Sequence, residues 1–225
     1  LTSKVEHPAS ANPCRYLAGR GRKVAWLDVD REGRIRLEQA EEWLQGDIGL
    51  VSVMHANNEV GTIQPISLLS RLAHARNALV HTDAAQTVGK IPVHVNDLEV
   101  DLLTVAGHKL NAPKGVGALY IRRGTPISPL LLGAGHEQGL RPGTENVASI
   151  VGLGVACALA RTRLEEKTNR LQGIRDRLWT LLANGVPGLK RNGHLTECLP
   201  NTLSVRFPGV LGSRVLEAAP EVAAS

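Results

Sequence analysis

The stretch "DLLTVAGHKLNAPKGVGALYIRR", residues 101–123, decides the architecture. An aliphatic run of strand length opens it, a histidine–lysine pair follows among glycines and a proline, and a second strand-like run, "GALYIRR" (117–123), closes it. Short, continuously apolar runs predict strands buried on both faces, the pattern of parallel sheet. Parallel strands need crossovers, so helical segments should separate the others.

They do. "KVAWLDVD" (23–30) reads as a strand, and "RLEQAEEWLQG" (36–46) follows with Leu37, Ala40 and Leu44 at helical spacing and Gly46 as C-cap. "IGLVSVMHA" (48–56) reads as a buried strand. "PISLLSRLAHAR" (65–76) opens on Pro65, suited to the first helical position, and repeats Ile66, Leu69, Leu72 and Ala73. "NALVHTDAA" (77–85) and "DLLTVAG" (101–107) supply two more strands. The expected fold is α/β: a mostly parallel sheet covered by helices on both faces.

Beyond Asn146 the pattern changes. "VASIVGLGVACALARTRLEEKTNRLQGIRDRLWTLLAN" (147–184) predicts a long connecting helical region with Leu171, Ile174, Leu178 and Leu181 on one face. "NTLSVRFPG" (201–209) alternates as a strand, and "LGSRVLEAAPE" (211–221) reads as a short helix. This places part of a large domain over 1–150, and a connecting helix with part of a small α/β domain over 151–225.

Composition excludes several function classes. The 225 residues are 43% hydrophobic and 21% charged, as expected of a globular protein, and with only 3% aromatics the core must be aliphatic. The formal charge of +5 is dispersed. Its densest cluster, "RYLAGRGRK" (15–23), lacks the repeated aromatic–basic interleaving that stacks bases, so it reads as a solvated loop and no nucleic-acid partner is expected. Cys14, Cys157 and Cys198 show no CxxC or zinc spacing, and there is no HExxH, so no metal site is expected. Cysteine usage points to a reducing, cytoplasmic setting. No apolar run has membrane length. The chain opens on Leu1 rather than Met, as a segment of something longer would.

In open parallel sheets ligands bind beyond the carboxyl ends of the strands. There the strands deliver Asn57, Asn58 and Glu59; Asp83 and then Gln86; and His108 with Lys109. Each is weak alone, since a lone lysine is usually solvated and an Asp after a strand is usually a turn former. Together they suit pyridoxal phosphate, which needs a lysine amine, a carboxylate for its ring nitrogen and a donor for its phenolic oxygen. Rival glycine motifs fail: "GAGHEQG" (133–139) has the wrong spacing for a dinucleotide fingerprint, and "APKGVG" lacks the GK[ST] ending of a P-loop.

These residues, with "TSKVEHPA" (2–9), "VSVMHANNEVGTIQPI" (51–66), "VHTDAAQTVGK" (80–90), "GAGHEQGLRPGTEN" (133–146) and "LPNTLSV" (199–205), run almost end to end in a familiar order. The chain resembles the central portion of the pyridoxal-phosphate cysteine desulfurases and selenocysteine lyases of the class V aminotransferase group, whose fold is type I. The resemblance implies that Lys109 is the Schiff-base lysine and that Asp83 pairs with the pyridine nitrogen. It implies that Gln86 and Asn58 contact the phenolic oxygen, that His7 stacks on the ring and moves protons, and that His108 binds the phosphate. Thr144 matches the threonine that reaches a neighbouring subunit's phosphate, which implies a homodimer with shared sites.

Two positions depart from the family pattern. Ala106 stands where desulfurases usually carry a phosphate-binding serine, a loss of roughly 1 kcal/mol, and selenocysteine lyases share it. Gln138 replaces a common arginine. The family's phosphate turn would lie before Leu1, and its nucleophilic cysteine and carboxylate-binding arginine beyond Ser225. Cys198 precedes "LPNT" and is expected to be structural, and Lys114 a turn lysine. The implied activity is removal of sulfur from L-cysteine, giving alanine and an enzyme persulfide. That sulfur would pass to an acceptor protein in iron–sulfur or thio-modification chemistry. The alternatives are L-selenocysteine as substrate, or a truncated, non-catalytic dimerisation or scaffold fragment.

Overall fold

The apolar runs read as strands between residues 23 and 123 all contribute to one sheet, "NTLSVRFPG" contributes to a separate pair, and each strand is shorter than its run. The computed structural model describes residues 1–224. The first part comprises β1 (Thr2–Ser3), α1 (Pro8–Gly19), β2 (Trp26–Leu27), α2 (Leu37–Trp43) and β3 (Leu50–Ser52). It continues with α3 (Ile66–His74), β4 (Leu79–Asp83), α4 (Val95–Leu98), β5 (Leu102–Ala106), a 3-10 turn (Gly107–Leu110) and β6 (Gly117–Ile121). The strand order is β2-β1-β3-β4-β5-β6. All neighbours are parallel except β5 and β6, which run antiparallel with Thr104 opposite Leu119. The sheet is thus mixed and mostly parallel, with helices against it.

The core lies between one sheet face and α2 and α3. Val51, Val80 and Leu103 point into it from three adjacent strands and meet Ala40, Leu44, Ile66, Leu69 and Ala73. Ile66 and Leu69 are essentially inaccessible, and each such burial contributes roughly 1.5–3 kcal/mol. The opposite face is more polar and only partly covered. Strand alternation puts Ser52, His81, Asp83 and Thr104 on it, all half-buried. There Ser52 and Thr104 hydroxyls lie 2.8 and 2.9 Å from the two ring nitrogens of His81. The expected helix-flanked, mostly parallel sheet is what forms, with this polar row left half-buried.

Several local expectations are corrected. The cluster 15–23 is not wholly a loop: its first five residues end α1, which starts with Pro8 behind the cap His7. Pro65 is the N-cap of α3 rather than its first residue, and α2 ends at Trp43 with Leu44, not Gly46, as its C-cap. The connecting region is two helices, α5 (Val147–Thr162) and α6 (Leu164–Gly185), bent by 71° at their junction. Ile174, Leu178 and Leu181 share one face of α6 as predicted, but that face is half exposed or more.

β7 (Lys190–Asn192) and β8 (Ser204–Arg206) form an antiparallel pair, followed by α7 (Gly212–Glu217). This second part meets the first at the 197–199 segment, which Arg175 holds against α6. The Arg175 guanidinium, buried in α6, donates to the Leu199 carbonyl at 2.9 Å and to the Cys198 sulfur at 3.3 Å. The Leu199 N–H in turn donates to the Gly61 carbonyl, and Ile63 to Glu197. Cys198 is buried there and also receives Arg191 at 3.1 Å, a structural thiol.

Candidate functional site

Parallel pairing sets the site. Asp83 is the last residue of β4, in register with Thr104 of β5, and five residues past Thr104 the chain reaches Lys109 in the 3-10 turn. Adjacent parallel strands thus deliver a carboxylate and an amine to the same sheet edge. The turn is tight because Gly107 allows it: a Cβ there would sit 2.5 Å from the Val116 carbonyl oxygen. Asn111, left-handed at φ 62°, closes it.

The predicted residues divide by what they do within the chain. One Asp83 oxygen, Oδ1, accepts the Ala85 N–H at 2.9 Å, and Oδ2 has no partner among the described residues. Gln86 lies one turn on, with its carbonyl oxygen taken by Lys90 at 2.7 Å and its amide nitrogen unpaired. Lys109 and His108 are exposed and form no side-chain hydrogen bond or ion pair among the described residues. His7 caps α1: its Nδ1 accepts the Ala9 N–H at 3.2 Å. In the neutral ring the proton must then sit on Nε2, which faces outward as a donor. Asn58 is exposed with a free amide, and Lys114 is an exposed turn residue. Thr144 is not gathered with the others. It sits on the exposed segment ahead of α5, without a hydrogen bond to any of them.

Asn57, named above beside Asn58, and three residues passed over in the sequence shape this edge. Asn57 bends the loop that presents Asn58: its Oδ1 accepts from Glu59 and Val60, and its amide donates to the Val5 carbonyl. Glu6 accepts the Ser3 hydroxyl at 2.6 Å and the Met54 N–H at 2.9 Å, while its Oε2 is buried with no partner. Burial pushes the Glu6 carboxyl up to about 7, with the nearby Asp83 charge acting in the same direction. His55 is buried, with Nδ1 3.0 Å from the Thr87 hydroxyl, and burial brings it down to about 4. Lys90 is brought down to about 8, by burial first and then by Lys109 and Lys167. Asn57 stood at a strand end that the sequence marks; Glu6, His55 and Lys90 act through burial by residues far along the chain.

A cleft of about 420 Å³ lies beside this edge, lined by Glu6, Asn57, Arg31, Glu59 and Asn192 among others. Asp83, Gln86 and Lys109 do not line it. They stand on an open surface instead, and their chemistry, not concavity, marks the site. An amine, a free carboxylate oxygen, two amide donors and an outward imidazole N–H are all unpaired around one sheet edge. That donor set matches what pyridoxal phosphate requires of a protein.

A mixed, mostly parallel sheet with a lysine one turn beyond a strand end and a carboxylate at the next strand's tip defines a type I pyridoxal-phosphate fold. The chain belongs to the class-V aminotransferase family, whose model matches residues 1–221. It is 43% identical over 216 residues to a cysteine desulfurase of Nostoc sp., covering 96% of this chain and 54% of that protein. It is 45% identical over 216 residues to the cysteine desulfurase IscS of Dictyoglomus turgidum, covering 96% of this chain and 55% of the relative. Among solved structures, a NifS-like protein superposes with a TM-score of 0.92 at 43% identity, over 98% of this chain and 60% of the other. The chain therefore spans about half the length of the curated relatives it matches.

Proposed function

We propose that this chain carries the cofactor-holding part of a cysteine desulfurase that uses pyridoxal phosphate. The observation that carries it is the pairing of Asp83 and Lys109 on adjacent parallel strand ends, within a chain 43–45% identical to cysteine desulfurases. When bound, the cofactor supplies an electron sink for bonds at the substrate's alpha carbon. Lys109 would hold the cofactor, and its Nζ is the atom that would move a proton. The free Oδ2 of Asp83 keeps a proton on the ring nitrogen. Gln86 and Asn58 donate to the phenolic oxygen, and His7 offers its ring face and outward Nε2. His108 and, in a homodimer, Thr144 are assigned to phosphate.

The substrate is L-cysteine, with sulfur passed on to an acceptor protein for iron–sulfur or thio-modification chemistry. L-selenocysteine is the alternative that Ala106 keeps in play. The free thiols of Cys14, Cys157 and Cys198 support a reducing, cytoplasmic setting.

The test is covalent trapping. The chain is incubated with pyridoxal phosphate, reduced with borohydride and digested. The expected result is a pyridoxyl group on the Lys109 peptide, absent from Lys109→Ala. A label spread over surface lysines, or one retained in Lys109→Ala, overturns the assignment. In the whole protein, with a thiol reductant present, release of sulfide from L-cysteine against selenide from L-selenocysteine then ranks the substrates, with L-cysteine expected to react faster.

A further inference from the structure

We propose that Lys90 is a positioning residue that turns Gln86 into a dedicated hydrogen-bond donor toward the cofactor's oxygen. This rests on the pyridoxal-phosphate assignment above. A glutamine amide can present either its oxygen or its nitrogen, and the two are nearly isosteric. An anionic cofactor oxygen is served only by the nitrogen. Lys90 removes the ambiguity: its ammonium has donors and no acceptor, and it lies 2.7 Å from Gln86 Oε1. The oxygen must therefore face Lys90, and the Nε2 hydrogens, which have no partner among the described residues, face away.

Lys90 is itself held in place. Its carbonyl accepts the Thr168 hydroxyl of α6 at 2.7 Å. Gly89, at φ +75°, lets the turn pass so close to its neighbours that a Cβ would lie 2.5 Å from Leu110 Cδ2 and 3.1 Å from Ala160 Cβ. Leu110 directly follows Lys109, so one packed contact locks the turn bearing Lys90 against the turn bearing the reactive lysine. The charged groups facing Lys90 are Lys109 from the 3-10 turn and Lys167 from α6. Both repel its proton, as burial does, so it loses charge at about pH 8. Above that pH the amine gains a lone pair, and the amide loses its enforced orientation.

The test has one arm without cofactor and one with it. In the cofactor-free chain, the Gln86 side-chain amide signals should shift with a midpoint near pH 8, as the Lys90 side chain titrates. The shift should vanish in Lys90→Met. With pyridoxal phosphate, Lys90→Met should bind on the order of 10-fold more weakly, the scale of one charge-assisted hydrogen bond, and Lys90→Arg should restore most of it. The bound cofactor's visible absorbance should also titrate at a different pH in Lys90→Met than in wild type.

An amide signal indifferent to the Lys90 titration overturns the proposal, as does wild-type affinity in Lys90→Met. If Lys90→Met does not fold, the wild-type amide titration alone decides. Failure of the wild-type chain to bind cofactor, with the amide still following Lys90, overturns the cofactor assignment and this role with it, while leaving the pair itself observed.

Discussion

One carboxylate oxygen of Glu6 accepts the backbone N–H of Met54 at 2.9 Å, while its other oxygen is buried without a partner. The bond joins the segment after β1 to the segment after β3, just before His7 begins α1. Burial holds the carboxyl up to about 7 against an ordinary 4.5. A folded-state pKa raised above the unfolded value contributes stability that is fully present below 4.5 and lost as pH rises through 7. Glu6→Gln keeps the acceptor oxygen and cannot ionise. Urea denaturation at pH 5 and pH 8 should show the variant gaining on wild type as pH rises, by up to about 3 kcal/mol. An unchanged difference between the two pH values would remove Glu6 from the buried carboxyls.

His55 and Thr87 make the opposite prediction. The Thr87 hydroxyl donates to the Ala84 carbonyl at 3.2 Å, so it must accept from His55, whose neutral ring therefore carries its proton on Nδ1. Burial lowers the ring to about 4 from 6.5. The stability this contributes is present above 6.5 and is lost as pH falls toward 4. Thr87→Val strands the buried Nδ1–H and should cost about 1–3 kcal/mol at pH 7.5. Nitrogen-15 spectra should show the Nδ1–H tautomer at neutral pH and no His55 titration between pH 5 and 8.

How much of this was legible follows from where each signal resides. β4, β5 and β6 fall within the runs that named them, because an aliphatic run between polar turns has few other fates. α1 was not legible: "PASANPCRYLAG" has no apolar period, carries Pro13 inside, and buries only Ala11. It is held by its ends, His7 and Pro8, rather than by a face. β7 is the polar triplet Lys190–Asn192, a strand only because β8 pairs with it. Asp83, Gln86 and Lys109 could be read because strand ends announce themselves in sequence. Lys90, Glu6 and His55 could not, because what matters at each is burial by distant residues. Thr144 stands apart: it is exposed and forms no hydrogen bond with the other site residues.

Arg175 is predicted to clamp the 198–199 segment, which bonds back to Gly61, against α6. Its guanidinium bonds the Leu199 carbonyl and the Cys198 sulfur and pairs with Asp176 at 2.8 Å. Arg175→Met keeps the stem and removes every arginine donor, leaving the buried Leu199 carbonyl only the long 3.4 Å bond from the Thr202 N–H. The expected cost is about 1–3 kcal/mol, with faster amide hydrogen exchange in 196–202 than in β4. Cys198→Ser should cost less, since a hydroxyl can still accept from both arginines. Exchange rising equally in both segments would make the clamp a general core contact instead.

Gly107 separates the fold's requirement from the chemistry's. It precedes His108 and Lys109, and its backbone does not need a left-handed conformation; the constraint is space. An added Cβ would stand 2.5 Å from the Val116 carbonyl oxygen, 3.1 Å from Val116 Cγ1 and 3.3 Å from the Ala112 Cβ. The first of these is backbone, fixed by the Gly107 N–H donating to that same carbonyl at 3.0 Å, so it cannot swing aside. Gly107→Ala must therefore push the turn away from β6, at a cost of about 1–3 kcal/mol typical of overpacking. That displacement moves Lys109 relative to Asp83, which stays anchored by β3 and β5. The expected outcome is a folded chain of lower melting temperature that is trapped at Lys109 by borohydride far less than wild type. Lys114→Ala, in the exposed turn nearby, should change neither quantity. Equal trapping in Gly107→Ala would show that the seat of Lys109 tolerates the shift.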